Sequence, residues 1–198
     1  MITIIDYKSG NLKSISNGFK KIGVKTEITS DKEKIASSKF VVLPGVGAFG
    51  KAMENIEPFK DLIIEHVNDD KPFLGICLGQ QVLMTSSDEA PGKKGLNLFK
   101  GHAKKIPKGL KIPHIGWNKL NVTNSSQILE DANNEYFYFV HSYHVTSNND
   151  EIIAGYCDYN TKIISSLSRN NLFSTQFHPE KSGPQGLKIL KKFVNLKI

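Results

Sequence analysis

Apolar residues recur in blocks along the first 80 residues of the chain, and the blocks alternate between strand-like and helix-like spacing. Short apolar runs of the kind that form buried strands lie at residues 1–6, 24–29, 40–43 and 72–74. Four apolar residues between the first two runs fall on one helical face: Leu12, Ile15, Phe19 and Ile22. Alternating strands and helices predict an α/β fold with a mainly parallel central sheet flanked by helices.

The remaining patterns predict further helices around this core and a series of short strands in the second half of the chain. Helices are predicted at residues 31–37, with Asp31 as N-cap, and at 59–67, 80–84 and from 184 onward. Short β runs lie at residues 119–122, 136–140, 152–157, 163–167 and 172–176. Arg169-Asn170-Asn171 is typical of a hairpin turn, because Asn tolerates a left-handed backbone. We therefore expect additional antiparallel strands in the second half.

A cysteine flanked by glycines follows the apolar run at residues 72–74. Gly75-Ile76-Cys77-Leu78-Gly79-Gln80-Gln81 has the Gly-x-Cys-x-Gly pattern of a tight turn between a strand and a helix, which lifts a nucleophile above the sheet. The N-terminus of the following helix favours the thiolate, the form of cysteine that attacks. The pattern predicts a nucleophile at Cys77, with a packed core thiol as the alternative.

A candidate base stands near the other end of the chain, in Gln176-Phe177-His178-Pro179-Glu180. Residues i and i+2 of an extended segment point the same way, so His178 and Glu180 share a face while Pro179 fixes the backbone between them. A carboxylate that holds an imidazole beside a thiol matches the roles of acyl transfer. We predict that Cys77, His178 and Glu180 form this triad; a purely structural His178 is the alternative.

A second glycine-rich turn, Pro44-Gly45-Val46-Gly47, follows the apolar run at residues 40–43. If the two strands are neighbours, backbone N–H groups of this turn and of Leu78 converge beside the sulfur. A tetrahedral intermediate needs such fixed donors for its oxyanion. An ordinary turn between a strand and a helix is the alternative.

Length and cysteine content indicate the number of domains and the cellular setting of the protein. The chain has 198 residues, a length that suits one domain, and we expect residues 1–198 to form a single domain. Cys77 and Cys157 show no paired or metal-binding spacing, and we find neither a signal segment nor an apolar run long enough to span a membrane. These features favour a cytoplasmic protein with reduced thiols and no membrane partner.

The formal net charge of +7 raises the question of nucleic-acid binding, but Arg169 is the single arginine. Recognition of phosphates and base edges relies on the planar guanidinium group, and no nucleic-acid-binding motif is present. The lysines are spread along the chain. They indicate a solvated surface, or a basic face for an acidic protein partner, and no nucleic-acid partner.

The cysteine and histidine segments together resemble the triad (class I) glutamine amidotransferases. Further segments are similar to the glutaminase subunits of imidazole glycerol phosphate synthase, which serve histidine biosynthesis. These are Pro44-Gly45-Val46-Gly47-Ala48-Phe49, Pro113-His114-Ile115-Gly116-Trp117-Asn118, Phe139-Val140-His141-Ser142-Tyr143 and His178-Pro179-Glu180-Lys181-Ser182. The resemblance covers nearly the whole chain and implies a flavodoxin-like fold. Lys8 and Asn97 depart from it, since the family usually has glycine at both positions.

The resemblance also implies a reaction and a site. Cys77 forms a thioester with glutamine and releases ammonia and glutamate, without a cofactor or a metal. The implied oxyanion donors are Val46 and Leu78, and the Gly45-Val46 peptide turns its N–H toward the oxyanion once the partner binds its ligand. The implied glutamine-binding residues are Gly47, Gln81, Ser142 and Tyr143.

The partner implied by the resemblance is a cyclase subunit with a (β/α)8 barrel, bound in a heterodimer. That subunit uses the ammonia to make imidazole glycerol phosphate and an aminoimidazole carboxamide ribotide. The implied interface residues are Asn11, Trp117, Asn118, Tyr138 and Lys181. For Trp117 alone, a core position is as compatible with the sequence as an interface position. The chain has no phosphate loop or dinucleotide fingerprint with which to activate an acceptor itself, so the ammonia must leave.

Three other functions fit parts of the sequence. A glutaminase subunit of another synthase would share the cysteine turn but not residues 113–118. A free-standing cysteine hydrolase of γ-glutamyl compounds would share the chemistry and work without a partner. A non-catalytic interaction module would need none of Cys77, His178 and Glu180.

Overall fold

The computed structural model describes residues 1–197. The strands within this range are β1 (Ile2–Ile5), β2 (Thr26–Thr29), β3 (Val41–Gly45), β4 (Phe73–Cys77), β5 (Ser86–Ser87), β6 (His102–Lys105), β7 (His114–Lys119), β8 (Asn121–Val122), β9 (Tyr136–His141), β10 (Tyr143–Thr146), β11 (Ile153–Asp158), β12 (Lys162–Arg169) and β13 (Leu172–Thr175). The α-helices are α1 (Leu12–Lys21), α2 (Lys32–Ala36), α3 (Phe49–Ile56), α4 (Lys60–Asn68), α5 (Leu78–Val82) and α6 (Gly183–Val194). Short 3₁₀ turns lie at Glu57–Phe59, Asp150–Ile152 and Pro179–Lys181.

Eight strands form the central sheet, in the order β2-β1-β3-β4-β13-β12-β11-β8. The five strands from β2 to β13 are parallel to their neighbours. Strands β12, β11 and β8 continue the sheet in antiparallel fashion. The predicted α/β fold with a mainly parallel sheet and added antiparallel strands is confirmed.

Alternation along the buried strands fills a separate core on each face of the sheet. Phe73 packs into one core with helices α3 and α4, whereas its neighbours Leu74 and Ile76 pack into the other core with α1 and α6. Both faces are therefore covered, as expected for parallel strands. The carboxyl ends of β3 and β4 stay accessible at one edge, where ligands bind in sheets of this type.

Several predicted boundaries are wrong, each for a local reason. The strand expected from residue 24 begins at Thr26, because Gly23 adopts a φ of 78° and completes a turn. The strand expected at 119–122 is two strands: β7 pairs with β9, whereas β8 pairs with β11. The helix after the cysteine turn begins at Leu78 and ends at Val82, so it lies two residues earlier than expected.

Other local predictions are confirmed. Asp31 caps α2, since its carboxylate accepts hydrogen bonds from the backbone N–H groups of Glu33 and Lys34. Asn170 adopts a φ of 50° in the hairpin between β12 and β13. Helix α3, the strands β5, β6 and β10, and all of β7 except Lys119 were not predicted.

Two smaller sheets flank the central one and place further segments near its edge. One has the order β10-β6-β5, and the other pairs β7 with β9. No helix within residues 1–197 is long and apolar enough to cross a membrane.

Candidate active site

The turn between β4 and α5 holds Cys77 in a strained conformation. Its φ of 57° and ψ of −109° lie outside the regions that ordinary residues prefer, a cost that a fold retains mainly at functional sites. Gly79 makes the turn possible, because an added Cβ would collide with the carbonyl oxygen of Leu43. Strand β3 runs beside β4 with Gly45 opposite Cys77, so the second glycine-rich turn lies next to the sulfur, as predicted.

The structure brings His178 and Glu180 together with Cys77. His178 Nδ1 lies 2.9 Å from Glu180 Oε1, and both side chains are buried. The backbone around His178 is fixed, since its N–H donates to the carbonyl of Tyr138 at 2.9 Å and its carbonyl accepts from Ser182 Oγ at 2.6 Å. The carboxylate therefore holds the ring from the side that faces away from the reaction.

The electrostatic environment favours a protonated His178. Burial opposes the imidazolium charge, but Cys77 and Glu180 outweigh burial and raise the pKa of His178 to about 9. Within residues 1–197 the buried Nε2 of His178 has no hydrogen-bond partner, so this nitrogen is free for proton transfer. An imidazole that carries a proton at neutral pH and leaves Nε2 open is placed to act as an acid.

A cavity of about 250 Å³ opens directly at the sulfur. It is lined by Cys77 and by all the predicted oxyanion and glutamine-binding residues: Val46, Gly47, Leu78, Gln81, Ser142 and Tyr143. The cavity is built from stretches of chain at residues 46–47, 77–81, 89 and 140–143, which meet at the carboxyl ends of β3 and β4.

Glu89 also lines this cavity and was missed from the sequence. Its Oε2 accepts a hydrogen bond from the backbone N–H of Phe49 at 2.7 Å, at the start of α3. Among the lining residues Glu89 is the one carboxylate. The sequence around residue 89 carries no motif, and only the fold of the loop after α5 brings the side chain to the site.

Two buried histidines support the segment that carries Ser142 and Tyr143. His141 Nδ1 lies 2.9 Å from the carbonyl oxygen of Tyr143, which can only accept, so Nδ1 carries the proton. His141 Nε2 then accepts from His114 Nδ1 at 3.0 Å. Burial lowers the pKa of His141 to about 3 and that of His114 to about 4, which keeps the pair neutral.

Three of the five predicted interface residues lie on one exposed face. Trp117 and Tyr138 are opposite each other in the β7–β9 pair, with ring centroids 6.2 Å apart. Lys181 Nζ lies 6.0 Å from the Tyr138 ring. Trp117 is 56% exposed, so the core position left open for it is wrong. We name this surface the β7–β9 face.

Two exposed residues that the sequence reading did not single out extend the β7–β9 face. Ile115 and Tyr136 are 56% and 54% exposed. Ile115 lies two residues before Trp117, and Tyr136 two residues before Tyr138, so each shares the direction of its neighbour on the strand. Ile115 and Tyr136 could have been predicted from this alternation of large apolar residues along the two strands.

The remaining two interface candidates are engaged within the chain. Asn118 Nδ2 donates to the carbonyl of Asp158 at 2.8 Å. Asn11 caps helix α1, since its Oδ1 accepts from the backbone N–H of Ser14 at 3.1 Å. Both keep exposed surface, but their amide groups already have structural partners.

The two departures from the family pattern share one backbone property. Lys8 and Asn97 adopt φ values of 62° and 55°, in the left-handed region that glycine enters most easily. Next to Lys8, the hydroxyl of Ser9 donates to the carbonyl of Val46 at 2.6 Å. The Lys8 loop therefore contacts the turn that carries the oxyanion candidate Val46.

Comparison with known proteins agrees with this geometry. A family model of class-I glutamine amidotransferases matches residues 3–196. The imidazole glycerol phosphate synthase subunit HisH of Methanothermobacter thermautotrophicus is 50% identical over 99% of this chain and 98% of its own. The HisH subunit of Methanocaldococcus jannaschii is 47% identical over 99% of this chain and 100% of its own.

Solved structures show the same fold at low identity. PurLQS from Thermotoga maritima superposes with a TM-score of 0.77 at 18% identity, over 98% of this chain and 97% of that one. Fold, site geometry and full-length identity all lead to one assignment. The chain belongs to the class-I glutamine amidotransferases and, within them, to the family of HisH subunits of imidazole glycerol phosphate synthase.

Proposed function

We propose that this enzyme uses Cys77 to release ammonia from the side-chain amide of glutamine and passes the ammonia to a cyclase subunit in histidine biosynthesis. The observation that carries the proposal is the strained Cys77, which lines the cavity, next to the buried pair of His178 and Glu180. Such a constellation performs acyl transfer on folds of many kinds.

The first half-reaction makes a thioester. His178 already holds a proton on its ring, so Cys77 reacts as the thiolate, which attacks the amide carbon of glutamine. The backbone N–H groups of Leu78 and Val46 stabilise the oxyanion. His178 then passes its proton to the amide nitrogen, the C–N bond breaks and ammonia leaves. Its raised pKa suits His178 to hold this proton until the nitrogen departs.

The second half-reaction regenerates the thiolate. His178, now neutral, takes a proton from water, and the resulting hydroxide attacks the thioester carbon. The C–S bond breaks and glutamate leaves. Glu180 keeps the ring oriented through both halves and stabilises the imidazolium each time it forms.

The cavity supplies groups for the other end of the substrate. Glutamine carries an α-ammonium and an α-carboxylate, and Glu89 is the one carboxylate on the lining. We assign Glu89 to the α-ammonium by charge. Gly47, Gln81, Ser142 and Tyr143 line the same space and position the rest of the molecule.

The β7–β9 face fits the partner subunit. Its exposed Ile115, Trp117 and Tyr136 form an apolar surface, with Lys181 at one side. Aromatic residues are enriched at the centres of protein interfaces. We assign this face to a cyclase subunit with a (β/α)8 barrel in a heterodimer. The free buried thiols suit a reducing, cytoplasmic setting.

Partner binding also gates the reaction in this proposal. Gly45 is enclosed by the Tyr7 hydroxyl, the Leu78 side chain and the Gly79 backbone, so the Gly45-Val46 peptide lies directly beside the nucleophile turn. We propose that this peptide turns the Val46 N–H toward the oxyanion when the cyclase binds its ligand. Glutamate release should then rise when the cyclase and a substrate analogue are added; equal rates would refute the gating.

The function itself is tested by replacing the nucleophile. The heterodimer with Cys77→Ala should lose glutamine-dependent formation of imidazole glycerol phosphate, because no thioester can form. It should keep the ammonium-dependent reaction, because the cyclase site is intact. Loss of both activities would assign Cys77 a structural role, and retention of both would exclude it as the nucleophile.

A further inference from the structure

We infer that Gln176 is a further catalytic residue, whose side-chain N–H donates to the Cys77 sulfur and stabilises the thiolate. The inference rests on the proposed function, since it assigns another role within the same site. Gln176 follows β13 and lies two residues before His178, in the segment that supplies the base. It belongs neither to the triad nor to the residues assigned to glutamine.

The side chain of Gln176 is fully buried and reaches the sulfur. Its Nε2 lies 3.7 Å from Cys77 Sγ, a usual distance for an N–H donor and sulfur. Its Oε1 accepts from Gln81 Nε2 at 3.2 Å. The backbone N–H of Gln176 donates to the carbonyl of Ser165 at 2.8 Å, which fixes the residue beside the central sheet.

The neighbouring groups determine which way the two amides point. Gln81 Nε2 lies 3.0 Å from the carbonyl oxygen of Tyr143. That oxygen can only accept, so the NH₂ group of Gln81 must face it. The same NH₂ faces Gln176, so the Gln176 atom nearest to it must be the carbonyl oxygen. The NH₂ group of Gln176 is then left toward Cys77.

The Tyr143 carbonyl that anchors this arrangement is itself held in place. His141 Nδ1–H donates to it at 2.9 Å, and His141 Nε2 accepts a hydrogen bond from His114 Nδ1 on the other side of the ring. The hydrogen bonds therefore form an ordered series from the buried histidine pair through Gln81 and Gln176 to the sulfur. Each member can take one orientation, so the donor at the sulfur is fixed before substrate arrives.

The Cys77 sulfur lies between one group that favours the neutral thiol and another that favours the thiolate. The carbonyl oxygen of Val140, 3.8 Å away, accepts a hydrogen bond from the neutral thiol and repels the thiolate. The Gln176 N–H binds the thiolate more strongly than the thiol, because a hydrogen bond to a charged acceptor is stronger. Gln176 therefore offsets Val140 and shifts the balance toward the attacking form.

The test measures the thiolate directly, by the rate at which iodoacetamide alkylates Cys77 as the pH is raised. Gln176→Met keeps the length of the side chain but has no donor. We expect Cys77 in this variant to react about ten- to a hundredfold more slowly near pH 7, the range that corresponds to a hydrogen bond to a charged group. The rates of variant and wild type should converge at high pH, where both thiols are ionised.

Two controls separate this effect from packing and from the second thiol. Gln80 is also fully buried in the same region, but its amide atoms have no hydrogen-bond partner among residues 1–197. Cys77 in Gln80→Met should therefore be alkylated at the wild-type rate. Cys157 is buried, which raises its pKa to about 11, and it should not react near pH 7. A Gln176→Met protein that alkylates with the wild-type pH dependence would overturn the inference.

A second measurement needs no change at residue 176 and applies even if Gln176→Met does not fold. The chain has five glutamines, so ¹⁵N-glutamine labelling gives five side-chain amide signals. The Gln176 signal should shift as Cys77 ionises in the wild type and stay constant in Cys77→Ser over the same pH range. A Gln176 signal that does not respond to Cys77 would overturn the inference.

Alkylation and amide signals do not depend on glutamine turnover. A protein that shows both effects but releases no glutamate would contradict the proposed function and leave the Gln176 contact established. A protein that hydrolyses glutamine but shows neither effect would support the proposed function and contradict the role assigned to Gln176. The experiments therefore distinguish failure of the proposed function from failure of the role assigned to Gln176.

Discussion

Gly18 on helix α1 allows the helix to pack directly against Glu180, the carboxylate that contacts His178. An added Cβ at Gly18 would lie 2.9 Å from Glu180 Cβ, 3.4 Å from Glu180 Cα and 3.0 Å from Leu190 Cδ1. Real Cβ atoms rarely approach other carbons this closely. Helix α1 and the 3₁₀ turn Pro179–Lys181 can pack at this distance only because residue 18 has no side chain.

Gly18→Ala should therefore destabilise the protein and slow the reaction. Overpacking a well-filled core costs about 1–3 kcal/mol. Alanine in a helix regains about 0.5–1 kcal/mol over glycine. The net loss in the free energy of unfolding should be about 1 kcal/mol, within a range of about 0–2.5 kcal/mol. Because the Glu180 backbone must move, His178 loses its alignment, and glutaminase activity should fall at least about tenfold.

Urea unfolding and glutamate release by the intact heterodimer measure the two effects separately. Asn17→Ala, an exposed position of the same helix, is the matched control and should change neither. Adding Leu190→Val to Gly18→Ala removes the contact with Leu190 Cδ1 but leaves the contact with Glu180. The double variant should regain stability without regaining activity. Wild-type activity in a folded Gly18→Ala protein would refute the link to Glu180.

Three further predictions follow from single residues. His141 has a pKa of about 3 when folded, below the unfolded value of about 6.5, so the stability it contributes is present above pH 6.5 and lost as the pH falls. Wild type should lose about 2 kcal/mol more than His141→Asn between pH 7 and pH 5 in urea unfolding; equal losses would contradict the buried neutral ring. Lys8→Gly should raise the free energy of unfolding by about 0.5–1 kcal/mol, because it relieves the φ of 62°, whereas Lys13→Gly in α1 should lower it. Gln80→Met should raise the melting temperature and keep glutaminase activity, because it removes a buried amide without partners, a cost of about 1–3 kcal/mol; a lower melting temperature would show that the amide is satisfied.

Much of the fold could be predicted because the local sequence patterns match the strands and turns that the sheet requires. The buried strands β1, β3 and β4 are short apolar runs, and Asp31 and Asn170 mark a cap and a turn by their own chemistry. Helix α3 was missed, although Phe49, Ala52, Met53 and Ile56 have the spacing of one helical face. The strands β5 and β6 could not be found, because their Ser and Lys residues show no alternation.

In the site, too, some residues could be predicted from local sequence and others could not. The glycines around Cys77 and the spacing of His178 and Glu180 are local, so the sequence alone could place them on a turn and on one face. Glu89 and Gln176 come from segments distant from Cys77 in the sequence, and only the folded chain brings Glu89 to the cavity and Gln176 to the sulfur. Local sequence thus predicts the reacting groups, whereas their supporting contacts depend on tertiary structure.

The central claim is that Cys77 itself becomes bonded to the substrate. The most direct test is the intact mass of the chain after the heterodimer has turned over glutamine and has been quenched in acid, followed by peptide mapping. We expect a mass increase of one glutamyl group, located on Cys77 and absent from Cys77→Ala. Turnover of glutamine without any adduct on the wild-type chain, or with an adduct on Cys157, would contradict it.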